Sequence, residues 1–206
     1  MNLKYNAPVT MTFGILCALV MALDLYVFPG LGMNYFLAPG QDFDSQSVWN
    51  YFGLVFHIFA HDSWDHLLQN FLYILLLGPV LEEKYGSKTL AVFIFITALF
   101  TGILNVLLMQ PTHILGASGI VFMMILLVSF AGIKKGEIPI TLIVIALLYP
   151  VKEIAVAIQN PDDGVSLTAH IAGGISGTLF GFVKHLESSK GRKKKEESPS
   201  EATIVN

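Results

Sequence analysis

Apolar residues along this chain gather into runs separated by short polar connectors. Six runs can be drawn, at residues 9–28, 66–81, 89–109, 116–133, 138–158 and 167–186. Several approach the ~20 residues that carry a helix across a bilayer. Residues 29–58 differ: Tyr35, Phe36, Phe43, Trp49, Tyr51 and Phe52 are interrupted by Gly, Pro and Asp. Such a weakly charged, aromatic segment settles at a membrane interface and does not span. From Glu187 to Asn206 the chain is charged and rich in Ser and Lys, which predicts a disordered, solvated tail. The expected architecture is an all-α membrane protein with six spans, an interfacial first loop, a membrane domain over residues 1–186 and a cytoplasmic tail over 187–206.

Composition agrees with that pattern. Of 206 residues, 54% are hydrophobic and 13% charged, against about 25% charged in soluble proteins, and the mean hydropathy is +0.65. Charge adds an orientation. Lys4, Lys84, Lys88, Lys134, Lys135 and the basic residues after the sixth run put eleven of the twelve Lys and Arg on one side. The other side carries Asp42, Asp44, Asp62, Asp65, Asp162 and Asp163, with Lys152 its single basic residue. The positive-inside rule then places both termini in the cytoplasm, as expected for a multi-pass plasma-membrane protein. A cleaved signal peptide is the competing reading of the first run. Its apolar stretch is long and no A-x-A-like site precedes Phe28-Pro29-Gly30, so the run is expected to remain as a helix. With the single cysteine Cys17, no intramolecular disulfide can form.

The fourth run contains His113-Ile-Leu-Gly-Ala-Ser-Gly-Ile-Val-Phe-Met-Met124. A helix from Gly116 to Ala131 rises only about 24 Å, short of a ~30 Å hydrocarbon core. The uncharged lead-in over residues 111–115 predicts that this helix begins below the outer surface. Irregular backbone at that depth must be buried in protein or line water, so Ser118 is expected to face a cavity. There the free N–H groups of a first turn can stabilise an anion. The bland alternative is close packing of small residues against a neighbouring helix.

Other intramembrane polar residues shift that balance. His170 lies in Ala169-His170-Ile-Ala-Gly173-Gly-Ile-Ser-Gly177, where Ala169, Gly173 and Gly177 recur at the spacing of close helix contact. An ionisable side chain in a span is by default a functional candidate. Its expected depth matches that of Ser118, since both sit at the outer ends of inward-running helices. His66 and Asn70, four apart, project from one face at the outer end of the second run, where two donors could hold an oxyanion beside the Ser118 N–H. His57 and His61 are also four apart, but no H-E-x-x-H motif or nearby thiolate accompanies them, so no metal is expected.

Together these residues resemble a rhomboid intramembrane serine protease. The resemblance rests on His61, His66 and Asn70 as H-x(4)-H-x(3)-N, on Gly116-Ala117-Ser118-Gly119 as G-x-S-G, and on Ala169-His170 with Gly173 and Gly177 as A-H-x-x-G-x-x-x-G. It covers roughly residues 9–186 and implies a six-helix rhomboid-like bundle that cleaves single-span or multi-span membrane proteins. By that resemblance Ser118 is the nucleophile and His170 the general base, while His66, Asn70 and the Ser118 backbone N–H form the oxyanion site. Gly116, Gly119, Phe122 and His61 support the cavity, and Glu82 with Gly86 forms a structural turn. Two positions depart from the family pattern: Phe122 stands where many members carry Tyr, and Trp49-Asn50 where Trp-Arg is usual. No cofactor, metal or nucleic acid is implied. The competing expectations are an inactive relative that binds transmembrane clients, which has no need for a matched Ser and His, and a small transporter, for which no inverted repeat is visible.

Overall fold

The computed structural model describes residues 6–111, 113–131 and 167–197, with six isolated positions between 140 and 151. Its helices are α1 (Pro8–Tyr26), α2 (Val48–Phe56), α3 (Trp64–Tyr85), α4 (Ser87–Leu107), α5 (Ser118–Ala131) and α6 (Leu167–Glu197). Five of the six apolar runs therefore appear as helices, four with ends shifted by a few residues and the last extending past its run to Glu197. The run at 138–158 lies outside the described residues apart from the isolated positions.

By length and composition, α1 and α4 each suffice to cross a membrane. Their outer faces are apolar and exposed, as at Ile15, Leu19, Val92 and Phe95, and the same holds for Leu72 and Leu76 on α3 and Leu179 and Phe182 on α6. In water such a belt would be unstable; hydrocarbon is the solvent it fits. The buried core runs through the middle of the bundle, from Phe13 and Cys17 on α1 through Ile74 and Leu81 on α3 to Met123, Met124 and Leu127 on α5.

α1 carries no capping side chain of its own. Its first turn is served from α3 instead: Glu82 accepts from the Val9 N–H at 2.9 Å, the Thr10 N–H at 3.0 Å and the Thr10 hydroxyl at 2.9 Å. A carboxylate there meets both the unpaired N–H groups and the positive end of the helix dipole. Gly86 then turns the chain from α3 into α4 at φ 84° with nothing within 4 Å of where a Cβ would stand. Backbone conformation alone calls for glycine at that corner.

The connector after α1 contains more regular structure than its interrupted sequence predicts. It holds a wide helical turn over Gly32–Phe36, then α2, then a tight turn over His57–Phe59. Aromatic rings join these pieces: Tyr35 meets Trp49 at 4.7 Å, Phe36 meets Phe52 at 5.3 Å and Phe52 stacks on Phe56 at 4.2 Å. Asn50, at the position where family members usually carry Arg, accepts from the Asp44 N–H at 2.7 Å. The connector is tied to the lead-in of α5 by a two-bond antiparallel bridge, with Ala38 N–H to Ile114 O and Ile114 N–H to Ala38 O both at 3.0 Å. At its far end α6 stays helical to Glu197, beyond the expected boundary at 186, with Lys184 paired to Glu187 at 2.8 Å. Residues 198–206 are outside the description.

Candidate functional site

The short α5 begins at Ser118, and the residues just before it are held by hydrogen bonds to the connector. Gly116 adopts φ 111° and donates its N–H to His57 O at 3.0 Å. A Cβ at Gly116 would collide with the imidazole of His66, 2.7 Å from Cε1 and 2.9 Å from Nε2. Glycine is thus required twice, for the left-handed backbone and for the ring against it. Ile114 and Ala117 on either side are fully buried.

Two buried histidines hold this turn. The His57 ring donates Nδ1–H to Gly53 O at 3.0 Å, and burial pushes its imidazole down to about 4. His61 accepts the Ala117 N–H on Nε2 at 3.3 Å. Burial, reinforced by His66 nearby, pushes it likewise to about 4. Both rings are neutral at physiological pH, and both serve backbone groups of the connector and the α5 entry.

His66 and Asn70 stand one turn apart on α3. The His66 ring packs edge-on to His61 at 5.1 Å between centroids, and its Nδ1 bonds Asp62 Oδ1 at 3.0 Å. Asn70 is buried and donates from Nδ2 to His66 O at 3.1 Å. The ring edge bearing Nε2 therefore lies over Gly116, two residues before Ser118.

α6 arrives from the other side. It packs on α5 more extensively than any other described pair, through a seam of small residues. A Cβ on Gly173 would overlap Gly119 O, one on Gly177 would overlap Met123 O, and one on Gly181 would enter the Phe130 ring. Ala169 is buried with Ala38 and Ile114, and its carbonyl lies beside Gly119. One residue on, His170 is buried with its ring 4.4 Å from that of Phe122, tilted by 49°. The structure thus brings the first turn of α5, His170 and Phe122 to one helix crossing, with His66 over Gly116 on the α3 side.

Sequence reasoning missed a polar ladder on α4. Thr97, Thr101 and Asn105 are buried at four-residue spacing, and Thr101 Oγ1 is 3.5 Å from where a Gly119 Cβ would stand. Asn105 Nδ2 donates to Pro39 O at 3.0 Å, which ties the connector down again. Three polar residues on one face of an apolar run were the available signal. Gly181 also went unremarked, although it continues the Gly173 and Gly177 period.

Comparison with known proteins places this arrangement in a family. Residues 46–187 match the Rhomboid domain. Relatives named rhomboid protease GlpG, from Salmonella choleraesuis strain SC-B67, Salmonella newport strain SL254 and Salmonella typhimurium strain LT2, are each 32% identical over 189 residues, covering 89% of this chain. The chain spans 65% of the length of these curated relatives. It belongs to the rhomboid family.

Proposed function

We propose that this protein is an intramembrane serine protease that hydrolyses peptide bonds in or near transmembrane segments of other membrane proteins. Ser118 attacks the scissile carbonyl and His170 takes its proton, giving an acyl-enzyme that water hydrolyses with the same histidine as base. The oxyanion is met by the Ser118 N–H, by His66 and by Asn70, whose amide nitrogen has a second hydrogen besides the one given to His66 O. In this reading both termini are cytoplasmic and the site opens to the extracytoplasmic side.

The observation that carries this reading is the seam at Gly119 and Gly173. It lets the α5 and α6 backbones touch and so sets His170 beside the helix turn that begins with Ser118. The Phe122 ring packs 4.4 Å from the imidazole, a contact that needs an aromatic ring but no hydroxyl. That packing contributes to the orientation of the imidazole, a task that an aspartate serves in a triad.

A serine-directed fluorophosphonate probe is expected to label the purified protein in detergent, and Ser118→Ala to abolish both labelling and cleavage of single-span substrates in liposomes. Cleavage that persists in Ser118→Ala would overturn the assignment.

A further inference from the structure

Asp62 lies four residues before His66, in the connector entering α3. Its carboxylate accepts from the His66 ring at 3.0 Å and from the Ser63 hydroxyl at 3.0 Å. Ser63 Oγ in turn accepts the His66 backbone N–H at 3.2 Å, capping α3. The three residues make one closed unit at the positive end of a helix dipole, where a carboxylate is stabilised. Burial works to raise the Asp62 carboxyl, but the charge and Nδ1–H of His66 and the Ser63 hydroxyl hold it below the usual carboxylate range.

The consequence is a matter of proton inventory. An ionised carboxylate can only accept, so the Nδ1 it contacts must carry hydrogen. A neutral imidazole has one N–H, and with that hydrogen on Nδ1, Nε2 is a lone pair. Nε2 is the nitrogen turned to Gly116. It donates toward the turn at Ser118 only when the ring is a cation.

We propose that Asp62 is a positioning residue that makes His66 a charged oxyanion donor, orienting the ring and tying the Nε2 proton to the imidazolium form. The idea rests on the protease reading above. The titratable groups around His66 among the described residues are Asp62, His61 with its ring at 5.1 Å and Asp65 in the same first turn of α3, while His170 lies on α6 beside Phe122. His61 is neutral, its Nε2 facing the Ala117 N–H, so Asp62 is the one charge in direct contact with the ring. A charge-assisted donor is roughly twice as strong as a neutral one, and it acts where charge develops in the transition state.

Asp62 is 69% exposed, so its replacement leaves the core intact. The test uses the full chain labelled with 15N-histidine in micelles, alongside pH profiles of cleavage in liposomes. In the wild type, the neutral His66 ring is expected to give the Nδ1–H signature. In Asp62→Asn the amide can donate to Nδ1. The neutral ring should then shift to Nε2–H, and the pH profile of kcat should differ from that of the wild type with KM unchanged. Asp62→Ala should also lose the Nδ1–H signature. Unaltered His66 resonances and an unaltered pH profile in both variants would overturn the proposal. Failure of the protease reading would look different: cleavage would survive Ser118→Ala, whatever the His66 resonances report.

Discussion

Asn70 shows how one side chain serves two purposes. Its amide braces the His66 carbonyl from a position already four residues along the same helix face, so its removal loosens a donor as well as deleting one. Asn70→Ala is expected to lower kcat by on the order of 10- to 10³-fold with little change in KM, measured on a reconstituted single-span substrate. An unchanged rate would leave Asn70 a packing residue. At this scale the sequence is legible for residue type: Ser118 and His170 stand out as polar residues in apolar runs, and His66 and Asn70 as a pair spaced four apart on one helix face. It is poorly legible for groups defined by what they touch. Nothing in the string marks His57 as the acceptor for the Gly116 N–H through its carbonyl, or Asp62 as the partner of His66, because both depend on how the connector folds back.

Among the elements, glycine performs two physically distinct tasks, and the same class of substitution separates them. Gly86→Ala adds a methyl group into open space and costs only the positive φ, about 1–2 kcal/mol. Gly173→Leu drives a side chain into the Gly119 carbonyl and forces α5 from α6. It is expected to cost about 1–3 kcal/mol or more, seen as a lowered Tm in detergent and loss of fluorophosphonate labelling. A variant at Gly173 that keeps both would mean the crossing is not needed. The helices themselves were readable because long apolar runs leave little choice of structure. The connector was not, since α2 and the Ala38–Ile114 bridge arise from aromatic stacking and pairing between residues more than seventy positions apart. α6 runs past its apolar segment because Lys and Glu are good helix formers, so the polarity change at 186 does not mark the helix end.

Across the whole molecule, the outward face of the connector is joined to the α5 entry by a second contact, His113 Nε2 to Asp42 Oδ2 at 2.7 Å. The His113 hydrogen bond holds the Asp42 carboxyl below its ordinary value of 3.8 against slight burial, with Gly40 N–H assisting. A depressed carboxyl contributes stability above its unfolded value and loses it as pH falls through the folded one. Both side chains are well exposed, so the effect is local and modest. Hydrogen-exchange protection of the Ala38 and Ile114 amides, corrected for intrinsic rates, is expected to drop as pH falls below about 3.8 in the wild type and to be insensitive to pH in Asp42→Asn. Equal behaviour of the two proteins would show that the bridge stands without this pair.

The glycine seam between α5 and α6 has a mechanical corollary. Where main chain rests on main chain, no flexible side chains intervene that could re-rotamer and let the rods slide. These two helices are therefore expected to shift against each other less readily than helices whose contacts run through side chains.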